Sequence, residues 1–480
     1  MQRRAIRRGL SLAAATSLGT LLLSFGSSVT SAPAGASCTS SAAAAPAPTR
    51  QGKFLGIVPK ASNGSGVSCA NVAGGGTPVN EAKKFKGKPP LINHAGTVMG
   101  SNTTPGDVTV TPIYWDPSST LPGTYMTHVN HYVRDVAHDN GSLPGALTNV
   151  YSVDEQLGIN YDIKYANSGL YQPKTDTDAF PPNGCTPDSR VVYNDSSHYS
   201  HCLTDAQLQT ELTTYLSANG MASTLTRLYL IMLPKGVESC FNSGSGTGSG
   251  CSTPWVGTGF CGYHSSLSGP NPPVYADLPF PSYGAPGAPF TCAGTVGGVV
   301  ESPNLDPDAD VIISIVSHEV NEAITDPYGS AWFDSSGAEI GDECAYIYGT
   351  LVGTAGQLYN QTINGNHYMT QEEASNENYT FAKKKPCVQA VDLPVAVLKV
   401  KPKSPAHNTL VTFDGHKSQG GGLNFTWNFG DGSLPVNTGS TNTTTHTYTA
   451  AGNYTVTLTV NDVVGLQNTS GIATQIITVK

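Results

Sequence analysis

Along the chain, apolar positions fall into stretches with different periods, and these set the expected elements. "DVTVTPIYW" (107–115) alternates as a strand does. "TDAQLQTELTTYLSANG" places Thr204 and Gln207 as a capping box. It repeats Leu208, Leu212, Tyr215 and Leu216 at helical intervals and stops at Asn219-Gly220. "LTRLYLIMLP" (225–234) is a mostly apolar run and predicts a buried strand. The Gly, Ser and Cys-rich region 239–305, with "FCGYHSS" and "PVYADLPF" inside it, predicts long loops held by disulfides. "LDPDADVIISIVSHEVNEAITDP" predicts the strongest helix: Asp306 caps it, Pro307 suits its first turn and Asp326-Pro327 ends it. Ile312, Ile315, Val316, Val320 and Ile324 supply its apolar face. After it, Ser335, Ser336 and Gly337 mark a loop or short hairpin ending near Cys344. Short alternating strands separated by turns fill residues 391–480 and predict a small antiparallel sandwich.

The amino terminus breaks these patterns. A basic start, an apolar stretch through Leu23 and small residues near Ala36 predict a cleaved export signal over 1–36. Residues 37–92 are rich in Ala, Pro, Gly and Ser, end near "EAKKFKGKPP", and predict a low-complexity linker or pro-segment. A small folded unit pinned by Cys38 and Cys69 is the alternative. The expected organisation is then an α+β domain over 93–390 and a sandwich over 391–480.

Composition narrows the setting. The 480 residues include 53 glycines and 33 prolines and carry a formal charge of −9, with no basic cluster in the mature chain to follow a phosphate backbone. A nucleic-acid partner is therefore not expected, nor is a membrane span after signal cleavage. Ten cysteines are scattered without CxxC pairs, and none falls after Cys387. In an exported chain this set reads as disulfides, in a protein that is extracellular or held at the cell surface.

The carboxy-terminal module carries "LNFTWNFGDGS" and then "HTYTAAGNYTVTLTV". Trp427, Phe429, Gly430, Asp431 and Gly432, followed by His446, Tyr448, Gly452, Tyr454, Val456, Leu458 and Val460, resemble the polycystic-kidney-disease (PKD) domain family across nearly the whole module. The resemblance implies an immunoglobulin-like sandwich that acts as a spacer or contacts proteins or polysaccharides. Trp427, Tyr454, Val456 and Leu458 are expected in its core and Gly430-Asp431-Gly432 in a tight turn.

The candidate chemistry lies in "SHEVNEAITDP". On a helix His318 and Glu322 are four apart and share a face, so both can approach one ion, with Glu319 one position round. That arrangement is similar to the HExxH metalloproteases, in which the intervening Glu takes a proton from the attacking water. Here Glu322 replaces the second histidine. The harder ligand set keeps zinc as the first expectation and brings in manganese or calcium. A third ligand is expected from "GAEIGDEC", where Asp342 is favoured over Glu339. Asp342 stands twenty-four residues after His318, a spacing similar to that of the glutamate ligand in thermolysin-like enzymes. His264 can also reach such a site if its loop lies near, and Asp326 reads as part of the helix stop. The plain alternative makes His318, Glu319 and Glu322 the solvated face of an amphipathic helix.

"GTVMGSNTTPGDVTVTPIYW", "LYLIMLPKGVESC", "FCGYHSS", "PVYADLPF" and "SHEVNEAITDP" with "GAEIGDEC" also resemble secreted bacterial proteins akin to plant EXORDIUM and phosphate-induced proteins, over roughly residues 93–350. That resemblance implies an extracellular protein. The sequence therefore predicts a disulfide-stabilised, zincin-like α+β fold, with a mixed sheet and an active-site helix, followed by an all-β PKD sandwich. The expected function is a metal-dependent hydrolase, first of all a peptidase, with His318, Glu322 and Asp342 as ligands and Glu319 as general base. The alternative is a noncatalytic protein that contacts cell-wall polysaccharide or extracellular proteins.

Overall fold

The computed structural model describes residues 91–480 apart from 101–106, 140–148, 158–162, 223, 244–249, 270–271, 382–385, 391–393, 420–422 and 463–469, together with the backbone of short strands between 36 and 79. Residues 1–35 of the expected export signal and the side chains of Cys38 and Cys69 lie outside the described residues.

A mixed sheet organises the middle domain. Its strands are β1 (Leu55–Pro59), β2 (Val108–Trp115), β3 (Ile163–Lys164), β4 (Lys174–Asp176), β5 (Arg227–Met232), β6 (Phe260–Ser266) and β7 (Val274–Leu278). Across the sheet they run β1-β6-β7-β5-β2-β3, with β4 also beside β2. β7, β5, β2, β3 and β4 are parallel, whereas β6 is antiparallel to both β7 and β1. Segment 37–92, read as a linker or pro-segment, thus contributes a strand to this sheet.

Three helices cover the sheet: α1 (Gly123–His138), α2 (Asp205–Ala218) and α3 (Pro307–Thr325). Leu228, Leu230 and Met232 of β5 pack toward α1 and α3, and the alternate residues Tyr229 and Ile231 pack toward Leu208, Leu212 and Leu216 of α2. Both faces being covered, every residue of β2 is buried, so its sequence alternation does not mark a solvated face. The boundaries of α2 follow its signals, with the Thr204 N–H donating to Gln207 Oε1 at 2.9 Å.

One expectation needs correction. "FCGYHSS" and "PVYADLPF" are not loop segments: they form β6 and β7, buried in the sheet, while disulfide Cys240–Cys251 closes the loop before them and Cys261–Cys292 ties the chain after β7 to β6. Around Ser335-Ser336-Gly337 the loop alternative holds, with the Asp334 N–H donating to the Ala338 carbonyl at 2.8 Å, while Trp332–Phe333 pairs with Ile92–Asn93. Two further disulfides, Cys185–Cys202 and Cys344–Cys387, complete those of the described residues.

The C-terminal module is a sandwich. Strands β8 (Lys399–Lys401), β9 (Leu410–Asp414), β10 (Leu423–Asn428), β11 (Val436–Asn437), β12 (Thr443–Thr447), β13 (Gly452–Asp462) and β14 (Ser470–Val479) form two antiparallel sheets, β8-β9-β12 and β11-β10-β13-β14. Trp427, Val456 and Leu458 are fully buried as expected. Tyr454 is only half-buried at the rim, where its ring stacks on Tyr448 at 4.5 Å. At Gly430, φ is +76° and a Cβ would stand 2.3 Å from the Thr455 carbonyl oxygen, so glycine is required there. Asp431 closes the turn by accepting from the Ser433 N–H and hydroxyl, and it pairs with His446 Nε2 at 2.6 Å.

Candidate metal centre

Helix α3 starts as its sequence predicts, with the Asp306 carboxylate accepting from the Ala309 N–H and Pro307 in the first turn. Its environment differs from the amphipathic alternative. From Ala309 to Thr325 every residue is buried, and His318, Glu319 and Glu322 are 0 % exposed. Their face is covered by strands and turns, so the solvated-face reading is overturned.

His318, Glu322 and Asp342 are brought together, each offering a ligand atom within 4.8 Å of the others. His318 Nε2 stands 3.0 Å from Glu322 Oε1 and 3.8 Å from Asp342 Oδ1. Ligand atoms held about 2.1 Å from one ion at a tetrahedral angle are about 3.4 Å apart, the same range. The turn 342–344 is held in place by the Asp342 N–H, which donates to Glu322 Oε1 at 2.8 Å, and by the Cys344–Cys387 disulfide. Gly341 makes this approach possible, since a Cβ there would stand 2.8 Å from His318 Nδ1.

A hydrogen bond to Gln371 fixes the tautomer of His318. Gln371 Oε1 accepts from the Tyr346 N–H at 3.1 Å, which identifies that atom as the oxygen. The same oxygen lies 3.2 Å from His318 Nδ1, so Nδ1 carries the proton and donates it. Nε2 is buried with no hydrogen-bond partner and faces two carboxyl groups. A cation would satisfy these groups together, and a ligating imidazole with its second N–H bound to an outer acceptor is the usual arrangement.

His264 reaches the same cluster from β6. It is opposite Ala276 of β7 and faces α3, and Gly262 allows the close approach: a Cβ there would stand 2.8 Å from Ile315 Cγ2. Its Nδ1 lies 3.5 Å from Glu319 Oε2 and 4.0 Å from Glu322 Oε2, and its Nε2 is 3.6 Å from Glu339 Oε2. Glu339, weighed less than Asp342 in the sequence, is therefore also part of the cluster. The Asp326 carboxylate accepts from the Ser330 and Ala331 N–H groups, in keeping with a helix stop, while its carbonyl meets His264 Nε2 at 3.2 Å.

Charge is the dominant property of this interior. Glu319, Glu322, Asp326, Glu339 and Glu373 are all at most 1 % exposed, the Asp342 side chain is 2 % exposed, and no Lys or Arg is buried among the described residues. Burial and the neighbouring Glu322 push the carboxyls of Glu339 and Asp342 well above the usual carboxylate range. Burial also pushes the His264 imidazole down. Carboxyl oxygens and imidazole nitrogens together form a donor set that fits a divalent cation. Sequence reasoning missed Gln371, Glu373 and Asn321, whose Nδ2 donates to Glu373 Oε1 at 3.3 Å. No local signal marks Gln371, which lies 53 residues from its partner His318.

The likeness to known families agrees with this division of the chain. Residues 391–477 match the family model described as PKD domain, and residues 252–380 match that of the Phosphate-induced protein 1 conserved region. The second span encloses every residue of the cluster. Protein EXORDIUM-like 3 of Arabidopsis thaliana is 37 % identical over 82 residues, which make up 16 % of this chain and 24 % of that relative. The chain thus spans about a quarter of the curated relative it matches. Among solved structures, the PKD1 domain of Vibrio anguillarum Epp is 26 % identical with a TM-score of 0.15, covering 19 % of this chain and 96 % of its own. The PKD1 domain from the Vibrio cholerae metalloprotease PrtV is 28 % identical with a TM-score of 0.15, covering 18 % and 99 %. A structure of carbohydrate-binding modules from the beta-sandwich superfamily is 29 % identical with a TM-score of 0.17, covering 18 % and 35 %.

Proposed function

We propose that the middle domain is an extracellular, zincin-like metal-dependent hydrolase, most simply a peptidase, carrying a PKD module that contacts wall polymers or proteins. The observation that carries this reading is the buried His318 Nε2, held toward Glu322 and Asp342 without a hydrogen-bond partner, in an interior where no Lys or Arg is buried among the described residues. His318, Glu322 and Asp342 would hold the ion. When bound, the ion would serve as a Lewis acid that polarises a carbonyl and makes water a nucleophile at neutral pH. Glu319, one position round the helix from His318, is placed to take the proton of the attacking water and to return it to the leaving group.

A second reading rests on the closure of the site. Structural metal sites are sealed, whereas catalytic ones keep a position open, and here the ligands are buried. Strand β1 also pairs with β6, the strand that bears His264. The hydrolase reading makes β1 a cover that leaves before a polymer enters; the alternative is a noncatalytic binding protein stiffened by its ion. The test is cleavage of a casein-derived peptide mixture by the zinc-loaded full chain, before and after limited trypsin at the lysines Lys83 to Lys88. A peptidase cleaves in at least one state, and Glu319→Gln lowers the rate about 10²–10⁴-fold with zinc content unchanged. No cleavage in either state rejects the peptidase.

A further inference from the structure

We infer that the cluster holds two divalent cations, with Glu322 as the carboxylate they share; this rests on the metal-site reading above and extends it. His264, Glu322 and Glu339 form a second group, each with a ligand atom within 4.8 Å of the others, and only Glu322 belongs to both groups. The two oxygens of Glu322 face different ways. Oε1 is 3.0 Å from His318 Nε2 and accepts the Asp342 N–H, whereas Oε2 lies toward His264 and has no hydrogen-bond partner.

His264 repeats the logic of His318 on the other side of this carboxylate. The Asp326 carbonyl, 3.2 Å from Nε2, takes the ring proton there. Nδ1 is fully buried and without a hydrogen bond, 4.0 Å from Glu322 Oε2. The two imidazoles come from different elements and reach opposite oxygens of Glu322, which puts a ring nitrogen beside each oxygen of the shared carboxylate. The surroundings point the same way: Glu319, Glu322, Asp326, Glu339, Asp342 and Glu373 crowd this interior, and no Lys or Arg is buried with them among the described residues. Paired ions in hydrolytic centres stand roughly 3.5–4 Å apart, a span that one bridging carboxylate covers.

The test uses the full-length protein, stripped with a chelator, reloaded with Zn²⁺ and dialysed against metal-free buffer, with zinc per chain measured by elemental analysis. Two zincs are expected in wild type, one in His264→Gln and in Glu339→Gln, and none in Glu322→Gln, with far-ultraviolet circular dichroism unchanged. Reloading wild type with Mn²⁺ needs no variant to fold: two ions sharing a carboxylate give an exchange-coupled electron paramagnetic resonance spectrum. One zinc in wild type, kept by His264→Gln and lost by His318→Gln, or a spectrum of isolated Mn²⁺, would overturn the pair and leave the single-ion site standing. No zinc in wild type would overturn both.

Discussion

The two halves of the molecule bury opposite kinds of side chain. In the C-terminal sandwich the fully buried positions are Val411, Phe413, Trp427, Val456, Leu458, Val460 and Ile477, all apolar. In the middle domain, helix α3 buries Ser317, His318, Glu319, Asn321, Glu322 and Thr325 as completely as its valines and isoleucines. Apolar burial is stabilising by itself, at roughly 25 cal/mol per Å². Buried carboxyls and imidazoles cost free energy until something answers them. The sandwich therefore needs only its own sequence, while on the metal-site proposal the interior around α3 is completed by an ion.

Trp427→Ala tests the self-sufficient half and carries the largest stability effect. The indole is 0 % exposed, and its Nε1–H donates to Thr438 Oγ1 at 3.0 Å. Truncating so large a buried aromatic costs about 3–5 kcal/mol. Urea unfolding of the full chain should show the sandwich lost at much lower denaturant, with zinc content unaltered. Loss of zinc in this variant would break the contrast.

Chelation tests the other half. An ion present at one hundred times its dissociation constant stabilises the state that binds it by about 2.7 kcal/mol. Stripping with a chelator should lower the thermal transition of the middle domain by that order and leave that of the sandwich in place. If neither transition moves, protons satisfy the interior instead, and the metal-site reading loses its energetic basis.

Legibility in the sequence follows the same line. Gly430-Asp431-Gly432, Trp427 and the alternation in β13 are local signals, and they marked the sandwich, its tight turn and the core residues Trp427, Val456 and Leu458. The ends of α2 and α3 were legible for the same reason, since Thr204 with Gln207, and Asp306 with Pro307, act within one turn. Helix α1 was not anticipated: Pro122 occupies its N-cap without a side-chain hydrogen bond, and no acidic residue lies in its first turn. β6 and β7 were hidden because strands covered on both faces need not alternate, and "FCGYHSS" carries Gly and His where a strand usually carries branched residues. The candidate site was half legible. His318, Glu319 and Glu322 are set by helical spacing, and the turn bearing Asp342 follows closely. His264, Gln371 and Glu373 arrive from sheet and loop pairings that no spacing encodes.

Asp277 sharpens the comparison with the smallest effect, because it is a buried carboxyl of the middle domain outside both ligand groups. It is 0 % exposed; its Oδ2 accepts from the Ser239 hydroxyl at 2.6 Å, and its Oδ1 has no partner. Burial, reinforced by Asp205, pushes its pKa up to about 8, against roughly 3.9 for an unfolded chain. Between those values the folded state holds a proton that the unfolded state has released. Stability from this group is therefore complete below about pH 4 and is lost as pH rises toward 8. Asp277→Asn keeps the size and the bond to Ser239 while removing the titration. At pH 8 the variant should exceed wild type by about 1–3 kcal/mol, the cost of an unanswered buried polar group. Near pH 4 the two should coincide, as read from urea midpoints of the ion-loaded protein across that range. Equal midpoints throughout would mean that this interior answers Asp277 without an ion, and that burial alone does not separate the carboxyls of the cluster from the others in the domain.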